Sequence, residues 1–166
     1  MTAGRVKSVT IVDADLSRTE HQDALVTMLD AYMLDPMEGG ERPPERIKRD
    51  LVPGLRAHPA CYVFLAYRDS SPVGFSICFL GFSTFNARPL VNIHDIFVDP
   101  SVRGTGIGAM LLERIEAKAR ELNCCRITLE VREDNRVARG LYRKVGFDQA
   151  AFGAQRIPME FWHKLL

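Results

Sequence analysis

The sequence predicts an α/β domain, a mixed central sheet of about six to seven strands with helices on both faces. Three β-rich runs in succession, residues 61–67, 73–85 and 91–98, point to an antiparallel meander joined by tight turns. A strong amphipathic stretch over 106–122 then separates the last of these from a further run, 126–131. That is the pattern of a parallel β-α-β unit. The 166 residues, 46% hydrophobic and 26% charged, suit one folded domain over 1–166.

Taken in order, residues 8–13 (SVTIVD) read as a first strand. Ser17 and Glu20 have the spacing of a capping box, and Leu25, Met28, Leu29, Tyr32 and Met33 recur at helical spacing behind it. Pro36 and the GGERPP stretch stop that helix. Residues 45–57 predict a second helix, interrupted or ended near Pro53 and Gly54. The run 91–98 is apolar on both faces, as a covered central strand is. In 106–122, Ile107, Leu111, Ile115 and Leu122 share a face. Within 126–131, Ile127, Leu129 and Val131 alternate. Asn135 is placed to cap a helix that runs to about Val145, and Gly146 to stop it in a left-handed conformation. Residues 156–163 read as a last strand, which Pro158 assigns to an edge.

Composition excludes several functions. Lys plus Arg is 22 and Asp plus Glu is 21, a formal charge of +1, so no broad basic surface for nucleic acid is expected. No run of about 18 apolar residues appears, so no membrane span is expected, nor does the start of the chain carry a signal-peptide core. Cys61, Cys78, Cys124 and Cys125 fit neither a zinc ribbon nor a redox pair. They read as reduced thiols of a cytoplasmic protein. His21, His58, His94 and His163 are scattered, and no metal site is expected.

The informative segment is VDPSVRGTGIGAML, residues 98–111, where Gly104, Gly106 and Gly108 lie between a strand and a strong helix. Glycines there let the backbone approach a ligand and leave amides free at the positive end of the helix, an anion cradle. Between Pro100 and Leu112 the charged residues are one base, Arg103, and no acid. A phosphate loop of the Walker type lacks its Lys and Ser/Thr here. Gly104, Gly106 and Ala109 satisfy G-x-G-x-x-A, the dinucleotide fingerprint of an oxidoreductase. Five residues, however, separate Val98 from Gly104, and too little chain follows for a doubly wound half.

Arg103-Gly104-Thr105-Gly106-Ile107-Gly108 resembles the R/Q-x-x-G-x-G/A pyrophosphate loop of the GNAT N-acetyltransferase superfamily. The resemblance extends to His94–Pro100 before it, and to Glu130-Val131, Asn135, Leu141-Tyr142 and Gly146-Phe147 after it. FSTFNARPLVNIHDIFVDP further resembles the diamine and thialysine acetyltransferase branch, although His94 stands where that branch carries Glu. The resemblance implies a GNAT fold and acetyl transfer from acetyl-CoA to the primary amine of a small molecule, without a metal, and homodimers are a tendency of the family. It implies that the backbone of Arg103, Gly104, Thr105, Gly106, Ile107 and Gly108 holds the pyrophosphate. Ile96, Phe97 and Val98 would align the pantetheine arm and offer an oxyanion amide, and Asn135 would add a bond on the cofactor side. An alkyl amine with a pKa near ~10 must lose a proton before attack. His94, Asp95 or water held by either is the candidate base. Neighbours on a regular strand face opposite sides, so only one of the pair would reach a substrate. Tyr142 matches the family's general acid for the departing thiolate. A non-catalytic acyl-CoA-binding module is the rival from another class. Residues 35–50, with five acids and four bases, name no acceptor.

Overall fold

The computed structural model describes residues 8–38, 40–152, 157–158 and 162–165. The chain divides into two units, residues 1–129 and 130–166.

The first unit is built on a five-stranded sheet in the sequential order β1 to β5. The strands are β1 (Val9–Asp13), β2 (Cys61–Arg68), β3 (Ser71–Ser83), β4 (Arg88–Val98) and β5 (Ile127–Leu129). β1 to β4 pair antiparallel, and β4 pairs with β5 in parallel, so the meander and the β-α-β unit stand as expected. The sheet has five strands rather than six or seven. The remaining short strands pair with each other in the second unit.

Two helices, α1 (Thr19–Met33) and α2 (Glu45–Ala57), precede β2. Leu25, Met28 and Leu29 of α1 pack with Val63, Leu65, Phe75, Ile77 and Phe97, and Leu51 and Leu55 of α2 join the edge of that cluster. A third helix, α3 (Ile107–Glu121), buries Ile107, Leu111, Leu112 and Ile115. It serves the other face: Arg114 lies over the ring of Phe64, whose neighbours Val63 and Leu65 belong to the α1 cluster. This division is the two-sided burial that the apolar runs of β2 to β4 require.

Two local expectations need correction. Ser17 does not cap α1. Its amide and its hydroxyl both donate to Asp15 Oδ1, at 2.9 and 2.7 Å, and Arg18 takes the cap position with no side-chain bond. A carboxylate two residues upstream accepts both donors of the serine and turns its hydroxyl away from the helix. α2 is not broken at Pro53 but runs through it to Ala57. Proline there forfeits one helix bond, and burial of Val52 with the Leu51 and Leu55 contacts carries the helix on.

In the second unit, α4 (Arg136–Lys144) starts at Asn135, whose Oδ1 accepts from the Ala138 amide at 3.1 Å. Just past its end Gly146 has φ of 96°, and the Phe147 amide donates to the Tyr142 carbonyl at 2.9 Å. β6 (Ala151–Phe152) and β7 (Ile157–Pro158) form an antiparallel pair. The last strand expected over 156–163 is therefore described at Ile157–Pro158 alone. Residues 156 and 159–161 lie outside the described residues.

Candidate functional site

Asp99 ends β4 and accepts from the Ser101 amide at 2.8 Å, which starts a single turn of 3-10 helix over Pro100–Val102. The chain then passes through Gly104 and Gly106 at φ of 78° and 92° and enters α3, with Gly106 at its cap. A methyl group at either glycine would meet nothing within 4 Å, so it is conformation and not space that requires glycine. The amides of residues 104–109 donate to no acceptor among the described residues. No acid lies in the first turn of α3, and Gly104, Thr105 and Gly106 are exposed. A row of unpaired amides at a helix start, open to solvent at Gly104–Gly106, is suited to an anion. The Thr105 hydroxyl is engaged within the protein instead. It donates to the Val102 carbonyl at 2.7 Å and accepts from Arg68 Nη2 at 3.1 Å.

β4 runs beside this loop and has an open edge. β5 pairs with Val91–Ile93 only, so the strand expected over 126–131 is three residues long. From His94 onward β4 has no β5 partner. A bulge sits at the same place. Asp95 lies opposite Ile77 and Ile93 opposite Cys78, and His94 is the extra residue between them. Ser76, fully buried, donates its hydroxyl to the Asp95 carbonyl at 2.8 Å and satisfies the group the bulge displaces. Beyond the bulge, the Phe97 carbonyl faces β3 and would lie 2.7 Å from a methyl on Gly74. Backbone groups alternate between edges, so Ile96 and Val98 turn theirs to the open one. The Val98 carbonyl is already taken, accepting from Arg103 Nε at 2.9 Å.

The bulge also overturns the expectation that His94 and Asp95 face opposite sides. The His94 ring meets the Phe79 ring at 5.6 Å, and the Asp95 carboxylate bonds the Tyr32 phenol. Phe79 and Tyr32 both pack against the α1 cluster, so the two side chains share that face. An inserted residue breaks the two-residue alternation on which the expectation rested. His94 is exposed and Asp95 half-buried. Burial pushes the Asp95 carboxyl above the ordinary range, against the pull of His94 and the Tyr32 bond. The Tyr32 phenol is itself raised, by burial first and then by the charges of Asp95 and Glu38.

Arg103 is not a base held out toward an anion. Its Nη2 bonds the buried carboxylate of Asp35, and its guanidinium lies 5.5 Å from the centre of the Phe97 ring. In the second unit, Tyr142 is buried on α4, with its ring 5.8 Å from that of Phe147. Asn135 performs the capping role its position predicts.

Residues 25–147 match the model of the acetyltransferase (GNAT) family. The chain belongs to the GNAT family. The thialysine N-epsilon-acetyltransferase of Bos taurus is 32% identical over 92 residues, 55% of this chain and 49% of that one. The peptidyl-lysine N-acetyltransferase YjaB of Escherichia coli is 37% identical over 98 residues, 59% of this chain and 56% of that one. The matches thus span about half the length of these curated relatives. Among solved structures, one described as a probable acetyltransferase is 26% identical with a TM-score of 0.74, covering 92% of this chain and 99% of that one. An aminoglycoside N-acetyltransferase in complex with CoA has a TM-score of 0.76 at 18% identity, covering 98% of each chain, a likeness of fold. The mixed sheet of this GNAT chain, with β4 antiparallel to β3, is not the parallel doubly wound sheet the dinucleotide reading needs.

Four residues of the GNAT chain near these features carried no signal in the sequence: Tyr32, Asp35, Glu38 and Arg68. Tyr32 reads as one more apolar position of α1, and Asp35 and Glu38 as ordinary charges of a loop. Arg68 ends β2, distant in sequence from the loop it touches.

Proposed function

We propose that the chain is an N-acetyltransferase that moves the acetyl group of acetyl-CoA to the primary amine of a small molecule, by direct attack with both substrates bound. The row of unpaired amides over residues 104–109, beside the open edge of β4, carries this reading. It fits a pyrophosphate, and nothing in the first turn of α3 opposes negative charge. Acetyl-CoA supplies an activated thioester. The backbone from Arg103 to Gly108 holds its pyrophosphate, and the open-edge backbone of Ile96–Val98 aligns the arm that follows. Phe97 turns its carbonyl to β3, which supports assigning the amides of Ile96 and Val98 to the thioester oxygen as it becomes anionic. His94, Asp95 or water held by either takes the ammonium proton. Sharing a face, the two can act on one proton. Tyr142 gives its proton to the departing thiolate, and Asn135 lies two turns before it on the same helix.

The names of two curated relatives, acetyltransferases of thialysine and of peptidyl-lysine, support an alkyl amine as acceptor. The family match crosses both units and supports one domain over 1–166. A cytoplasmic setting is part of this reading, as the cysteine spacing of the sequence suggests.

The test is release of free thiol from acetyl-CoA with a panel of polyamines, lysine analogues and amino-terminal peptides. Tyr142→Phe is expected to lower kcat by about 10²–10⁴-fold while CoA still binds. Tight binding of CoA with no turnover on any amine would instead support the binding module.

A further inference from the structure

Arg103 is the base of the loop that holds the amide row, yet its guanidinium is committed elsewhere. Nε donates to the Val98 carbonyl at 2.9 Å, Nη2 donates to Asp35, and the group lies over Phe97. Asp35 is as firmly committed. Its side chain is 7% exposed, its other oxygen Oδ1 accepts from the Met37 amide at 2.9 Å, and its carbonyl accepts from the Glu38 amide at 2.8 Å. One residue therefore ties a tight turn after α1 and grips the first residue of the loop after β4, 68 positions away. The turn it ties carries Glu38, whose charge acts on the Tyr32 phenol as that of Asp95 does.

A buried carboxylate demands this partner: losing the guanidinium would leave a charge stranded out of water. The guanidinium cannot swing to a phosphate without breaking that pair. Its role in anion binding is then to fix where the row of amides begins. Gly104 and Gly106, exposed and with open space where a side chain would start, have no side-chain packing to do so, and the Thr105 hydroxyl bonds to Val102 and Arg68 are the other hold on this loop.

We propose that Asp35 is a positioning residue for the cofactor loop, acting through Arg103 and coupling the turn after α1 to the amide row at 104–109. This rests on the acetyltransferase reading above. In a double-mutant cycle on CoA affinity, measured by calorimetry, Asp35→Asn and Arg103→Gln are each expected to weaken binding by about tenfold, the scale of ordinary coupling between sites. The double variant is expected to lose little more than either single one. In turnover, KM for acetyl-CoA rises in each single variant while kcat at saturation holds.

Additive losses, or an Asp35→Asn variant with unchanged affinity and KM, would overturn the proposal. Should Asp35→Asn fail to fold, Arg103→Gln decides alone, since that side chain is 43% exposed. If it acts through Asp35, the loss of CoA affinity persists at about 0.5 M salt, where long-range attraction is screened. A loss that vanishes at high salt means that only the charge of the guanidinium mattered, and the proposal fails. Wild-type protein that binds no CoA sinks the acetyltransferase reading itself, whereas a wild type that binds, with additive variants, sinks only the coupling.

Discussion

At the scale of single residues, Asp95 is the candidate base whose chemistry burial alters. A carboxyl raised by burial is a stronger base once ionised, and it is protonated over a wider span of acid pH. If Asp95 takes the substrate proton, the acid limb of kcat/KM lies above the ordinary carboxylate value of about 4, and Asp95→Asn abolishes the limb. If His94 does, the limb survives Asp95→Asn and disappears in His94→Gln. Stability gives a second reading with its own sign. With the folded pKa above the unfolded one, ionising Asp95 opposes folding, so stability is greatest below the unfolded value and falls as pH rises through the folded one. Asp95→Asn should therefore raise the urea midpoint at pH 7, and the gain should shrink toward pH 4. A variant equally stabilised or destabilised at both pH values would show that Asp95 is not strained by its burial. The candidates were legible because a histidine and an aspartate stand out within an apolar run. Their shared face was not, because a bulge leaves no mark on a run that is apolar on both sides.

At the scale of elements, β4 does two things that its register explains. It is paired with β3 on either side of the bulge, and it is released from β5 beyond Ile93. Ser76 and Gly74 are the β3 residues that permit this. Removing the Ser76 hydroxyl leaves the Asp95 carbonyl without its partner, so Ser76→Ala should cost about 1–3 kcal/mol in chemical denaturation. Gly74→Ala would drive a methyl into the Phe97 carbonyl at 2.7 Å. Strand backbone, not a flexible tip, must then move, so both thermal stability and affinity for CoA should fall. An unchanged CoA affinity in a folded Gly74→Ala protein would detach the open edge of β4 from cofactor binding. The order of elements could be read from hydrophobic periodicity and from the glycines, since both are local. The short β5, the uncapped α1 and the continuous α2 could not. Each depends on a competitor that periodicity ignores: a splayed neighbour, the Asp15 carboxylate, and packing of Val52.

At the scale of the whole molecule, the formal charge of +1 conceals a division. From Pro100 to Lys144 there are ten bases and six acids, +4, and the rest of the chain has twelve bases and fifteen acids, −3. Bases spread along the segment that carries the amide row would draw in a polyanion, but over distances that salt screens at about 8–10 Å under ordinary conditions. The hydrogen bonds of the amides are shorter-ranged and survive screening. The two contributions separate in one experiment, a thermal-shift titration with CoA at low and high salt. At about 100 times the dissociation constant, CoA should stabilise the protein by about 2.7 kcal/mol. Raising the salt from about 0.05 to 0.5 M should shift the titration to higher CoA concentration, as the long-range attraction is screened. At saturating CoA the protection should persist, because the short-range amide contacts remain. NAD and NADP should protect far less at the same concentration, since the mixed sheet has no doubly wound crevice for them. Equal protection by NAD would undo the assignment of this loop to CoA. Protection lost entirely at high salt, even at saturating CoA, would mean that scattered surface charge holds the ligand and the amide row at 104–109 does not.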